Sequence, residues 1–214
     1  MSYDTQKKYF EIAYKTGTDI WTNKIYQSKI FEYLSKIPHG AIALDLGTGR
    51  GRWPFAMVEI GFKVIGIDYV GRLIKVNNAE VKAKNLQGKI SFLEGDVFDI
   101  QLTDGSVDVV TDFGLLQHLH REDWAKYRGE VNRVLKPGGH VLCVALSKET
   151  AKFFDLSPKD SAEADFEKYG AHYHFFRPGE IMEVYGPNFT KIQDEVLFLP
   201  KEGDAFLVTL LKKN

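Results

Sequence analysis

One cysteine in 214 residues, Cys143, leaves the chain without the material for a disulfide framework or a cysteine-rich metal site. It stands in the apolar run VLCVAL, where it reads as a small buried strand residue in a reducing compartment. Basic excess is also missing: 28 Lys and Arg face 29 Asp and Glu, a formal charge of -1. That balance excludes the overall positive charge that drives non-specific nucleic-acid binding. No apolar run approaches bilayer length, and the N-terminal MSYDTQKKYFEIAYK lacks the continuous apolar stretch of a signal peptide. No repeat or low-complexity tract appears either. These absences lead to the expectation of a cytoplasmic protein with no nucleic-acid and no membrane partner.

What is present is enough apolar material for one substantial core, with 44% hydrophobic and 13% aromatic residues, so residues 1–214 are expected to form a single domain. Aromatic and aliphatic residues at steps of three and four predict helices over about 3–12 and 22–36, the second ending at Ile37-Pro38-His39-Gly40. Short apolar strands are expected at about 41–46, 63–67, 89–94, 106–112 and 139–146, alternating with helical patterns. Leu73, Val76, Ala79, Ala83 and Leu86 are expected along one buried helix face, and Trp124, Tyr127, Val131 and Val134 along another. Leu135-Lys136-Pro137-Gly138-Gly139 then turns the chain into the fifth strand. This alternation predicts an α/β fold, a mostly parallel sheet with helices on both faces. The final runs TKIQDEVLFL and DAFLVTLLKK are separated only by Pro200-Lys201-Glu202-Gly203, too short a connection for anything but an antiparallel hairpin. Seven strands in a Rossmann-like sheet, closed by that hairpin, are the expected fold. Residues 147–176 form a long polar segment dotted with aromatics, expected to carry function and some helix of its own.

The stretch ALDLGTGRG, residues 43–51, places three glycines just beyond a strand and before a helix expected to start near Trp53-Pro54. Gly47, Gly49 and Gly51 either meet the geometry of a tight turn or admit a ligand close to bare backbone at the ligand-binding edge of an open α/β sheet. A pyrophosphate fingerprint requires a third glycine where Arg52 stands, which disfavours a dinucleotide. Acids end the neighbouring strands. Asp68, closing VIGID, stands where an acceptor-only side chain would hold the hydroxyls of a ribose. Asp96, beyond the third strand, suits an adenine amino group, with the backbone amide of Val97 available to a ring nitrogen.

DLGTGRG, VIGIDYV, FLEGDVFDI, VVTDFGLLQHL and VLKPGGHVL, in this order and spacing, resemble the motif set of class I S-adenosylmethionine-dependent methyltransferases over about residues 41–146. The resemblance implies that Asp45, Gly47, Thr48, Gly49 and Gly51 surround the methionine moiety of that cofactor. It further implies that Asp68, with Tyr69 beside it, holds the ribose, that Asp96 and Val97 address the adenine, and that Asp112, Phe113 and Gly114 line the site near the sulfonium. The implied activity is methyl transfer to a small-molecule acceptor with release of S-adenosylhomocysteine. Missing motifs support the small-molecule branch: no Asn/Asp-Pro-Pro-Tyr follows the fourth strand, and Cys143 has no Pro-Cys context.

Methyl transfer from a sulfonium asks mainly for alignment, and a general base is needed only where the acceptor must lose a proton. His118, His172 and His174 are the candidate bases, histidine titrating near neutrality. No metal site is expected, since nothing fixes the geometry of the His118-His120 and His172-His174 pairs toward one another. Specificity is assigned to N-terminal helices within residues 1–40, acting as a lid, and to residues 147–176 on the substrate side. Trp21, His174 and Phe176 are the expected pocket residues, and Trp21 reads equally as core filler. Two alternatives stay open: a cofactor-binding module that acts through a protein partner without methylating, and an NAD-dependent oxidoreductase, the latter disfavoured by Arg52 and the terminal hairpin.

Overall fold

A computed structural model describes residues 2–19, 27–38, 40–199 and 203–214 of the chain. Helices α1 (Tyr3–Thr16) and α2 (Gln27–Leu34) precede the first strand. Strands β1 (Ile42–Leu46), β2 (Lys63–Asp68) and β3 (Ile90–Glu94) alternate with α3 (Arg52–Glu59) and α4 (Gly71–Ala83). Strand β4 (Val107–Phe113), helix α5 (Trp124–Val134) and strand β5 (Leu135–Leu146) complete the parallel half. A small pair, β6 (Asp165–Lys168) and β7 (Ala171–His174), is followed by α6 (Glu180–Tyr185) and by the final strands β8 (Phe189–Leu199) and β9 (Asp204–Lys213).

The main sheet runs β3-β2-β1-β4-β5-β9-β8. Strands β1 to β5 pair in parallel, and β9 is antiparallel to both of its neighbours, as the short connection between the last two runs requires. Side chains alternate between two cores. Ala43, Val109 and Leu142 face the core shared with α1 to α4, while Leu44, Val110 and Val141 face the one shared with α5 and α6. Strand order reverses between β1 and β4, where the first crossover runs one way through α3 and a later one runs the other way through α5. Ligands of open α/β sheets bind at that crevice. No helix among the described residues is long and apolar enough to cross a membrane.

Three local expectations need correction. On α4 the buried residues are Leu73, Ile74, Asn77 and Val81, while Val76, Ala79 and Ala83 are exposed: the buried stripe is turned from the expected one and includes an asparagine with a structural task. Between residues 147 and 176, where some helix was expected, the only helix is a single 3-10 turn at Pro158–Asp160, and the main element is the β6–β7 hairpin. Strand β5 starts at Leu135: pairing passes from Val107 with Leu135 to Val109 with His140, so Pro137 and the glycines are accommodated in a wide irregularity. Helix α6 has no counterpart in the sequence reading, since six residues give too little periodicity to detect.

Candidate active site

The turn after β1 is built from both sides around one residue, Gly49. Asp68, at the end of β2, accepts from the Gly49 N–H at 2.8 Å with one oxygen and from the Val70 N–H at 2.9 Å with the other. Asn77, from the buried stripe of α4, donates to the Gly49 carbonyl at 2.8 Å. Gly49 has φ +53°, and a Cβ there would lie 2.6 Å from the Tyr14 hydroxyl; Gly51 has φ +72°, and its Cβ would lie 2.8 Å from the Phe92 ring. Turn geometry and close approach therefore demand glycine together. Arg50 leaves the same turn and grips α1: its guanidinium meets both oxygens of buried Asp19 at 2.6 Å and donates to the Tyr14 carbonyl at 3.0 Å.

These groups open onto a cavity of about 550 Å³ at the carboxyl ends of β1, β2 and β4, within the size range of small-ligand sites. Asp45, Gly47, Thr48, Gly49, Asp68 and Tyr69 line it, as do Asp96, Val97, Phe113 and Gly114. Tyr3, Gln6, Lys7, Phe10 and Tyr14, one face of α1, cover it. The acids differ in state. Asp45 is almost wholly buried, which pushes its carboxyl up to about 7 against the opposing bond from the Thr111 hydroxyl at 2.8 Å. Burial also raises Asp68, opposed by the two amide donors. Asp96 is exposed and accepts from the Phe98 N–H at 2.9 Å.

Two of the residues expected around a cofactor do not reach the cavity. Gly51 packs under the turn against Phe92. Asp112 follows the alternation of β4 to the face opposite Asp45. There it accepts from the Tyr127 hydroxyl at 2.7 Å and from the Leu115 N–H at 2.8 Å, and burial raises it to about 6. It shapes the loop after β4 from behind.

Of the candidate bases only His118 lines the cavity. Its Nδ1 is 2.6 Å from the His172 carbonyl oxygen, and burial lowers its pKa to about 4, leaving a neutral imidazole at neutral pH. Strand alternation in β7 sends His172 and His174 one way and Tyr173 the other, so the cavity receives Tyr173. His174 is buried beside Asp165 and Glu180, at 2.8 and 3.2 Å, with Arg121 bridging the two acids. Phe176 packs in the α5 core beside Trp124, away from the cavity. Trp21 lies outside the described residues. No group of three or more His, Cys, Asp or Glu among the described residues is placed to hold a metal ion.

The same cavity carries an aromatic wall. His118 meets Phe10 and Tyr173 edge-on at 5.0 and 4.9 Å, and Phe153 continues the row to Tyr173 at 5.2 Å and Phe154 at 4.6 Å. Phe10, Gln6, Asn77, Arg50 and Gln117 were not singled out from the sequence. Asn77 left a signal, a polar residue inside an otherwise apolar helical stripe; the others act through contacts far apart in the chain.

The model of the methyltransferase domain family matches residues 44–143. Demethylmenaquinone methyltransferase from Staphylococcus carnosus is 28% identical over 188 residues, 86% of this chain and 68% of the relative. The enzyme of the same name from Lactococcus lactis is 31% identical over 171 residues, 78% of this chain and 60% of the relative. Among solved structures, 1,6-didemethyltoxoflavin-N1-methyltransferase from Burkholderia thailandensis, bound to 1,6-didemethyltoxoflavin and S-adenosylhomocysteine, superposes with a TM-score of 0.83. It shares 21% identity, over 99% of this chain and 88% of its own. A SAM-dependent methyltransferase from Methanosarcina mazei superposes with a TM-score of 0.69 at 20% identity, over 89% of this chain and 98% of its own.

Proposed function

Because the chain belongs to the class I S-adenosylmethionine-dependent methyltransferases and transfers a methyl group to a small-molecule acceptor, we propose that its cavity seats the cofactor at the acidic end and a flat ring acceptor against the aromatic wall. The observation that carries this reading is the union, in one cavity, of the glycine turn, two buried carboxyls and the row Phe10-His118-Tyr173-Phe153-Phe154.

The residues present suit the cofactor. Asp68 spends one lone pair of each oxygen on a backbone amide, so each oxygen keeps capacity for a ribose hydroxyl. Asp45 offers a carboxylate to an amino group, and Gly47, Thr48 and Gly49 bring backbone close to the methionine chain. Asp96, the Val97 amide and Tyr69 would serve the adenosine, and Phe113 and Gly114, which line the same cavity, would hold the sulfur end. Bound there, S-adenosylmethionine supplies a methyl group on a sulfonium, a good leaving group for in-line displacement. The protein contributes alignment, worth up to about 7–11 kcal/mol when reacting atoms are held in near-attack geometry. His118, neutral with a pKa of about 4, is a weak proton acceptor and orients the acceptor.

Helix α1 acts as the lid, held by Arg50, and residues 147–176 act as the acceptor side through Phe153, Phe154 and Tyr173. The relatives named for demethylmenaquinone and 1,6-didemethyltoxoflavin support a ring-shaped acceptor. A lone, fully buried cysteine supports a cytoplasmic setting. Titration calorimetry with S-adenosylhomocysteine tests the cofactor end: Asp68→Ala should weaken binding at least about tenfold, the loss expected of a charged hydrogen-bond acceptor. Unchanged affinity removes Asp68 from the site. Methyl-labelled cofactor incubated with ring acceptors should label product in the wild type.

A further inference from the structure

Two neighbouring side chains in the cavity wall have orientations fixed by partners that leave no choice. The Leu146 N–H, which can only donate, lies 2.8 Å from Gln117 Oε1, so the amide nitrogen of Gln117 is on the other side. The His172 carbonyl, which can only accept, lies 2.6 Å from His118 Nδ1, so Nδ1 carries the proton and Nε2 presents a lone pair. Gln6 fixes the frame of that imidazole. Its Nε2 donates to the His118 carbonyl at 3.0 Å, and its Oε1 accepts from the His172 N–H at 2.9 Å. Three buried bonds thus close a ring through α1, the turn after β4, and β7.

Gln117 and His118 are each only 9% exposed, and both line the cavity. In the structure they partner one another, Nε2 to Nε2, at 3.4 Å, near the outer limit of a hydrogen bond. The amide keeps a second N–H. This weak mutual contact is readily exchanged for stronger bonds to a ligand. Phe10 and Tyr173 pack edge-on with the imidazole, so the wall beside the pair is aromatic and suits a flat ring.

We propose that Gln117 and His118 are a specificity pair for a planar, uncharged acceptor bearing a carbonyl next to an N–H or O–H: the carbonyl accepts from Gln117 Nε2, and the N–H or O–H donates to His118 Nε2. The class is that of lactams, imides and hydroxy-carbonyl rings. This inference rests on the methyltransferase reading of the cavity and deepens it. A carboxylate would face the lone pair of His118, and an ammonium would face the Gln117 N–H, so both charged classes are disfavoured. A ring alkylated at the donor position leaves His118 Nε2 without its bond, which is how a polar site rejects a near-isostere.

The test begins with S-adenosylhomocysteine binding by calorimetry; absence of binding overturns the cofactor reading itself. With that ligand saturating, two matched pairs are titrated, 2-quinolone against 1-methyl-2-quinolone and lumazine against 1,3-dimethyllumazine. The parent of each pair should bind about tenfold tighter than its methylated analogue, the order of one hydrogen bond in a desolvated site. Equal binding within both pairs, or no binding by any of the four, overturns the specificity pair. Gln117→Glu keeps the acceptor for the Leu146 N–H and removes the donor. It should weaken both parents about tenfold while S-adenosylhomocysteine binds as before, and undiminished parent binding counts against the proposal. On the wild-type protein, nitrogen NMR of ¹⁵N-labelled histidine should find His118 protonated at Nδ1 at neutral pH. Protonation at Nε2 overturns the assignment whatever the variant does.

Discussion

Replacing Asp45 by asparagine removes a charge that the folded state holds unwillingly. The carboxyl is raised from 3.8 to about 7, first by burial and further by the acids Asp112 and Asp68, with the Thr111 hydroxyl bond opposing. Between about pH 4 and pH 7 the unfolded chain has released this proton and the folded chain has not. Its contribution to stability is therefore complete below about pH 4 and is lost as the pH rises toward 7. A shift of about three units corresponds to at most ~4 kcal/mol. Asparagine keeps an oxygen for Thr111 but brings an amide with unmet donors, which costs about 1–3 kcal/mol. A net gain of about 1–3 kcal/mol at pH 7.5 remains, or roughly 2–7 °C in melting temperature for a chain of this length. Thermal melts of both proteins at pH 4.5 and 7.5 separate the two terms, because the packing cost is the same at both and the charge term is not. The wild type should lose more stability than the variant between these pH values, and parallel changes would refute the reasoning. The more stable variant should bind S-adenosylhomocysteine about tenfold more weakly, a trade between stability and function.

Gly51→Ala forces a side chain onto φ +72° and within 2.8 Å of Phe92; urea unfolding should show a loss of about 1–3 kcal/mol, and a neutral result would contradict the turn geometry. Asn77→Ala leaves the Gly49 carbonyl unsatisfied, which should cost about 1–3 kcal/mol in the same assay and weaken S-adenosylhomocysteine binding severalfold. Arg50→Ala releases Asp19 and the Tyr14 carbonyl. Faster amide exchange in α1 and a faster ligand off-rate should follow, and unaltered exchange across Tyr3–Thr16 would show that the arginine does not hold this helix.

The parallel half of the sheet was legible because its first three strands each end in a chemical signal: glycines after β1, Asp68 at the end of β2, the Gly95-Asp96 turn after β3. Those same signals located most of the cavity's acidic end. Asp112 was misplaced because motif position says nothing about side-chain parity, and one step along β4 turns a residue to the other face of the sheet. His172, His174 and Phe176 lie away from the cavity for a related reason: most of the segment's regular structure is a hairpin that the sequence did not announce, and alternation along β7 gives Tyr173 to the cavity. Gln6 and Gln117 are ordinary residues in any window of sequence. Their importance comes from partners in distant segments, such as His172 for Gln6.

The place of β9 has a consequence for how the protein is made. Its residues 204–211 are all buried, and the strand lies between β5 and β8, although it is among the last parts of this sequence to be translated. Until it emerges from the ribosome, β5 carries a bare hydrogen-bonding edge, a template for mispairing with other nascent chains. The completing strand enters the sheet's interior only after both of its neighbours have been translated, so the sheet cannot close in the order in which it is made. A pause or an early stop within these residues would leave β5 bare at the sheet's edge and β8 without its partner, a product suited to quality-control proteases more than to catalysis.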